Sequence, residues 1–130
     1  MTPKFLRVED VITIQAHQLA RDGGLAGIRD RNLLESAVMQ PMASFGGQYL
    51  HEDVFQMAAA YLFHVVKNHS FIDANKRTGL VTALSSLEVN GVTLADPSSL
   101  LYDATMAVAE GRLDKSGVAD LFRRLAAGSA

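Results

Sequence analysis

His69-Ser70-Phe71-Ile72-Asp73-Ala74-Asn75-Lys76-Arg77 follows an apolar run from Val54 to Val66 and precedes a second helical pattern that begins near Lys76. The stretch therefore reads as a loop between two helices, with its last residues opening the second. A helix N-terminus leaves backbone N–H groups unpaired and carries partial positive charge, which makes it a natural anion site. Asn75, Lys76 and Arg77 stand where their side chains add donors to those amides. His69 and Asp73 stand a few residues upstream. A base, a carboxylate able to hold a metal and a cationic cradle within nine residues point to phosphate chemistry.

Outward from the loop, the chain reads as helix after helix. The helix before it, expected over 53–67, has apolar residues on nearly every face (Val54, Phe55, Met57, Ala58 to Leu62, Phe63, Val65, Val66), and a helix apolar all round is buried. It is taken as the central helix. The helix after it, expected over 76–90, puts Leu80, Leu84 and Leu87 on one face and stops at Asn90-Gly91. Toward the N-terminus, Val8, Val11, Ile12, Ala16 and Leu19 predict a first helix over 8–21, ended by Gly23-Gly24. Asp30 is the N-cap expected for a second, carrying Leu33, Leu34, Ala37 and Val38, with Pro41 marking its end. Residues 42–50 show no helical period; the Gly46-Gly47 pair between Phe45 and Tyr49 suggests a mobile loop or small hairpin. Beyond Asn90, Val92-Thr93-Leu94 reads as a short extended piece, and Asp96-Pro97 as a helix start with Pro in the first turn. That fifth helix carries Leu100, Leu101, Ala104, Ala107 and Val108; a sixth starts near Asp114 and carries Val118, Leu121, Phe122 and Leu125. The tail from Ala126 to Ala130 is expected to fray. The fold class is all-α: a compact six-helix bundle around a buried central helix, in one domain over 1–130.

Composition narrows the function. Twelve basic residues against fourteen acidic ones leave a net charge of −2, which argues against direct nucleic-acid binding through a basic face. There is no cysteine, so neither disulfides nor thiol chemistry enter. The N-terminal residues carry no signal-peptide h-region and no apolar run approaches the roughly 20 residues of a membrane span, which points to a cytoplasmic protein. Asn68-His69-Ser70 fits a glycosylation acceptor by chance in such a protein. No phosphate-binding P-loop, dinucleotide fingerprint or His-Glu-x-x-His pair competes with the loop at 69–77. His64, His69 and Asp73 do not fall on one helical face, which disfavours them as a metal triad.

Within the loop, a neutral imidazole at His69 can take a proton from an attacking hydroxyl near neutral pH; without further context it would be read as a histidine capping the preceding helix. Asp73 is a candidate Mg²⁺ carboxylate, since magnesium takes one or two carboxylates with phosphate oxygens and waters; the same residue suits an N-cap. Arg77 can grip phosphate bidentately and Lys76 acts as a point charge, against the blander reading of a solvated first turn. Cations there oppose the helix dipole, a cost that a bound anion offsets. Phe71 is the expected core anchor of the loop, and Lys67 a weaker phosphate contact. His17, His51 and His64 have no such surroundings and read as structural or exposed.

The run His-x-Phe-x-Asp-Ala-Asn-Lys-Arg-Thr, from His69 to Thr78, resembles the signature of the Fic/Doc (Fido) family, His-x-Phe-x-(Asp or Glu)-(Gly or Ala)-Asn-x-Arg, in its death-on-curing (Doc) toxin branch. Gly23-Gly24-Leu25-Ala26-Gly27 adds to the likeness, which covers nearly the whole chain. The resemblance implies a toxin of a toxin–antitoxin pair that uses ATP and Mg²⁺ to modify a hydroxyl of a target protein, translation elongation factor Tu, and so arrests translation. It assigns catalysis to His69 and Asp73, Mg²⁺ to Asp73 by way of the nucleotide, and ATP phosphates to Ala74, Asn75, Lys76, Arg77 and Lys67. Phe45, Gly46, Gly47 and Gln48 become a flap that positions the target; on sequence alone a surface connector fits them as well. The implied partner is an antitoxin whose C-terminal helix lies in an apolar groove, expected beside the flap and the first two helices. This chain departs from the broader Fic pattern at Ser70, Ala74, Lys76 and Leu80, where Pro, Gly, Gly and a second Arg are usual. Lys76 crowds the approach to the phosphates, and Leu80 cannot grip the far ones. Both features favour transfer of the γ-phosphoryl over adenylyl transfer, which stays as the alternative beside a catalytically silent binding protein.

Overall fold

The computed structural model describes residues 2–96 and 98–126. Six helices form it: α1 (Val8–Asp22), α2 (Arg31–Met39), α3 (Val54–Asn68), α4 (Asn75–Val89), α5 (Leu100–Ala109) and α6 (Lys115–Ala126). The all-α architecture is the expected one, and the first four helices begin and end within about a residue or two of their sequence-read bounds. Pro97 lies outside the described residues, and so do residues 127–130 of the tail expected to fray. No helix is long and apolar enough to cross a membrane, among the described residues.

Local chemistry sets the ends. Asp30 caps α2 by accepting from the Leu33 amide at 3.1 Å, and Asp53 caps α3 by accepting from the Gln56 amide at 2.8 Å. The other Asp53 oxygen accepts from Arg123 at 3.0 Å, which ties the start of α3 to α6. The α-helical geometry of α2 ends at Met39, two residues before Pro41, and a single 3₁₀ turn, Gln40–Met42, follows. Residues 44–49 are a hairpin: β1 (Ser44–Phe45) pairs antiparallel with β2 (Gln48–Tyr49). Gly46 and Gly47 both have positive φ, 60° and 80°, as the tight turn that matches strand twist requires.

α3 is the axis, as expected. Met57 to Leu62, Val65 and Val66 are buried on it. On one side it packs with α4, α5 and α6 around Leu62, Val66, Leu87, Val108, Val118 and Phe122. On the other, α1 and α2 close over Tyr61 and Val65 with Leu6, Val11, Leu34 and Val38. The Tyr61 hydroxyl accepts from the Leu6 amide at 2.8 Å, and burial pushes its pKa up to about 12.

The α3–α4 contact departs from the leucine stripe read in the sequence. α4 buries Thr78, Gly79, Thr82, Ala83 and Ser86 along with Leu87, while Leu80 and Leu84 are only partly covered. The reason is proximity. A Cβ on Gly79 would stand 2.7 Å from Val66 Cγ2 and 3.2 Å from the Leu62 carbonyl oxygen, so only small residues let the two helices approach this closely. Among the described residues, Val92-Thr93-Leu94 pairs with no strand and has no regular secondary structure.

Between α3 and α6, the Lys115 ammonium lies 3.1 Å from His64 Nε2 and 3.5 Å from His51 Nε2. Burial, with Lys115 second, lowers the His64 pKa to about 4, and the same causes lower His51. In the unfolded chain a histidine titrates near 6.5. Between about 6.5 and 4 the unfolded chain thus binds more protons than the folded one. Stability is full above the upper value and declines as pH falls toward the lower. Thermal midpoints measured from neutral pH downward should decline over that window, and His64→Gln should flatten the decline. An equally steep decline in the variant would remove His64 as its source.

Candidate active site

The loop from His69 to Ala74 joins the end of α3 to the start of α4, and segment 24–30 braces it along its length. His69 closes α3 in the left-handed conformation, φ 49° and ψ 46°, a region that costs an L side chain about 1–2 kcal/mol. The Ser70 carbonyl accepts from the amides of Arg29 at 2.7 Å and Asp30 at 3.0 Å. Phe71 pairs with Ile28 in an isolated antiparallel bridge, and the Ile72 amide donates to the Gly27 carbonyl at 3.1 Å. Phe71 is 1% exposed and joins the core cluster of α1, α2 and α3, as an anchor should.

Asp73 points its carboxylate at backbone donors. Oδ2 accepts from the Leu25 amide at 3.1 Å and Oδ1 from the Ala74 amide at 2.8 Å. These bonds, first Leu25 and then Ala74, hold its pKa below the ordinary carboxylate value, with Arg77 and Lys76 adding to the effect. A carboxylate oxygen has about two lone-pair sites, so each oxygen keeps one for a cation. The carboxylate is therefore ionised at neutral pH and chemically suited to one Mg²⁺ that takes its remaining ligands from phosphate and water. Among the described residues there is no group of three or more acidic, histidine or cysteine side chains that would cage a metal without phosphate.

The N-cap position of α4 belongs to Ala74, not Asp73. Ala74 is left-handed, φ 66°, and no side chain caps the helix. The first helical bond runs from the Thr78 amide to the Ala74 carbonyl, which leaves the amides of Asn75, Lys76 and Arg77 ahead of the ladder. α2 and α3 spend an aspartate on this position; α4 presents its end bare. That end opens into a cleft of about 180 Å³ lined by His69, Ile72, Asp73, Ala74, Asn75, Lys76 and Arg77. Pockets for drug-sized ligands hold about 300–1,000 Å³, so this cleft suits the phosphate end of a ligand.

Two of the candidate phosphate donors also serve the protein itself. Asn75 turns inward: Oδ1 accepts from the Phe71 amide and Nδ2 donates to the Phe71 carbonyl, both at 3.0 Å. Arg77 donates to the Gln18 carbonyl at 3.2 Å and the Gly23 carbonyl at 3.1 Å, and lies 3.6 Å from Asp22 Oδ2. Its guanidinium has five N–H groups, so donors remain while it is docked on the end of α1. Lys76 is exposed. Lys67 is exposed as well but lines a different cleft, with Phe63, Arg112 and Leu113. The flap residues Phe45, Gly46, Gly47 and Gln48 form the hairpin tip; Phe45 is 83% exposed, and none of the four lines the cleft.

Several residues of the site had no individual reading in the sequence. The Gln15 amide donates to the Asp73 carbonyl at 3.3 Å. Gly24 must lack a side chain, since a Cβ there would stand 2.8 Å from Asp73 Oδ2 and 2.8 Å from Leu19 Cδ2. Arg29 reaches the end of α3. The Gly-Gly-Leu-Ala-Gly run was the available signal for this brace, because it marks backbone that must come close to something.

A model of the Fic/DOC family matches residues 5–87. The protein kinase doc of Escherichia phage P1 is 38% identical over 117 residues, which cover 90% of this chain and 91% of that protein. The toxin Doc of Mycolicibacterium smegmatis is 39% identical over 92 residues, 71% of this chain and 68% of that one. With a family match that takes in the whole loop at 69–77, and relatives aligned along most of its length, the chain belongs to the Fic/DOC family.

Proposed function

We propose that the chain is a Doc-type toxin that transfers the γ-phosphoryl group of ATP to a hydroxyl of a target protein, by resemblance elongation factor Tu, in the cytoplasm. The observation that carries this reading is the bare N-terminus of α4, opening beside His69, Asp73 and Lys76 into one small cleft. The names of the two relatives, a protein kinase and a toxin, agree with it.

In the proposed reaction the target hydroxyl enters from the His69 side. His69 takes the hydroxyl proton as the new oxygen–phosphorus bond forms. The bond between the γ-phosphorus and its bridging oxygen breaks, and ADP departs with the bonding pair. The amides of α4 and the side chains of Lys76 and Arg77 stabilise charge on the transferring group. Mg²⁺, with Asp73 as its protein ligand, would neutralise phosphate charge. The hairpin at 44–49, with Phe45 outermost, is the surface that would seat the target chain.

The reading carries an antitoxin with it, docked by a C-terminal helix. A groove of about 500 Å³ lies beside the hairpin, lined by Tyr49, Val54, Met57 and Pro3 among others. Its walls come from the N-terminal segment, the hairpin residue Tyr49 and the start of α3; from the sequence, the groove is expected beside the flap and the first two helices.

The test is ATP labelled at the γ-phosphate in parallel with ATP labelled at the α-phosphate, each incubated with the protein, Mg²⁺ and purified elongation factor. Label is expected on the factor from the γ position only. Label arriving from the α position alone would establish adenylyl transfer, and label from neither would leave a silent binding protein.

A further inference from the structure

Arg29 holds three consecutive carbonyl groups. Its Nε donates to the His69 carbonyl at 2.7 Å, a terminal nitrogen of its guanidinium donates to the Asn68 carbonyl at 3.2 Å, and its backbone amide donates to the Ser70 carbonyl at 2.7 Å. Asn68 and His69 are the last residue and the C-cap of α3, so these are carbonyls that the helix itself leaves without partners. A cation is favoured at that end by the helix dipole. The geometry at His69 needs such a clamp, because a histidine in the left-handed region persists only where its surroundings over-determine it. Arg29 does not line the cleft, and its two side-chain contacts are to backbone.

We propose that Arg29 is a positioning residue for His69: its guanidinium fixes the end of α3 and so aims the imidazole into the cleft. The inference rests on His69 being the base of the proposed transfer. It assigns the effect to the guanidinium fork, which spans two adjacent carbonyls. Lysine keeps the charge but brings a single point donor.

The test compares wild type, Arg29→Ala and Arg29→Lys as full chains, with two readouts. The first is γ-phosphoryl transfer across a range of ATP concentrations. A misplacement of about 1 Å costs on the order of 10²-fold in rate, so Arg29→Ala is expected to lose about tenfold or more in kcat. Its KM for ATP should be unchanged, Arg29→Lys should fall between, and added guanidinium ion should restore part of the rate to Arg29→Ala. The second readout needs no activity: nitrogen-15 histidine spectra, in which the His69 imidazole signals shift or broaden in Arg29→Ala while those of His17, exposed on α1, stay in place. A folded Arg29→Ala with wild-type kcat and wild-type His69 signals would overturn the proposal, as would a loss expressed only as raised KM. Should Arg29→Ala fail to fold, Arg29→Lys carries both readouts, and wild-type values in it would count against the fork. If the wild type transfers no phosphoryl group, the functional reading falls, and the spectra still decide whether Arg29 positions His69.

Discussion

His69→Ala is expected to lower the rate of the proposed phosphoryl transfer by about 10²–10⁴-fold, the range for removal of a general base, while the protein stays folded. The expectation of a folded variant has a structural basis. His69 is exposed, and the contacts that hold it are to its backbone carbonyl. The same residue permits a sharper comparison. Its left-handed backbone penalises any residue with a Cβ, and glycine is the residue favoured where a helix closes this way. His69→Gly should therefore be as inactive as His69→Ala yet melt higher than either alanine variant or wild type. The gain is less than the full about 1–2 kcal/mol of the conformational cost, because glycine also loses more freedom on folding; a shift of roughly 2–4 °C is expected. Calorimetry on the three proteins with transfer assays on the same samples checks both halves. A folded His69→Ala with near-wild-type transfer would sink the assignment of the base. A glycine variant less stable than the alanine variant would show that the left-handed turn is not a cost borne for the imidazole.

The elements that the sequence made plain are those whose signals are local. The apolar periods placed α1, α2 and α3, and Asp30 is the cap that its position suggested. The start of α5 differs from the sequence expectation for a physical reason. Asp96 does cap it, accepting from the amides of Leu100 at 2.7 Å and Leu101 at 3.1 Å. Ser99, the residue before the first turn, is left-handed, and the helix begins at Leu100, about three residues later than the Asp-Pro pair suggested. On α4 the leucines drew attention, yet the face against α3 is the one with Gly79 and the small polar residues. Apolar periodicity finds faces that bury bulk and passes over faces that must be thin.

The site divides in the same way. His69, Asp73, Ala74, Asn75, Lys76 and Arg77 come from one run of sequence and share one cleft, as that run suggested. What holds them comes from far away in the chain. Arg77 binds carbonyls at Gln18 and Gly23, Arg29 binds those at Asn68 and His69, and Leu25 donates to Asp73. Each of these bonds joins a side chain to a backbone group, so no complementary residue type marks its partner in the sequence. Asn75 shows a related limit: the motif marks it for phosphate and gives no sign that its amide group also secures Phe71.

Phe71→Ala is expected to cost about 3–5 kcal/mol of stability, as large-to-small changes at buried aromatics do, out of the roughly 5–15 kcal/mol that domains have. The ring is 1% exposed in the cluster that includes Leu6, Val11, Leu34, Tyr61 and Val65, so its removal leaves a cavity where α1, α2 and α3 meet. Denaturant unfolding should show the loss as a lower midpoint with an unchanged slope. The neighbouring residue supplies the contrast. Ile72 is 53% exposed and lines the cleft, so Ile72→Ala should stay within about 0.5 kcal/mol of wild type. The two variants separate a loop anchored by one ring from a loop held by its backbone bonds alone. Those bonds are many: Asn75 binds both backbone groups of Phe71, and Ile28 pairs with it. If they sufficed, Phe71→Ala would lose little more than Ile72→Ala and keep its transfer rate. The expected result is instead a large loss in stability together with a loss of transfer under conditions where the variant is still mostly folded, because the buried ring sits only two residues from His69 in the same loop.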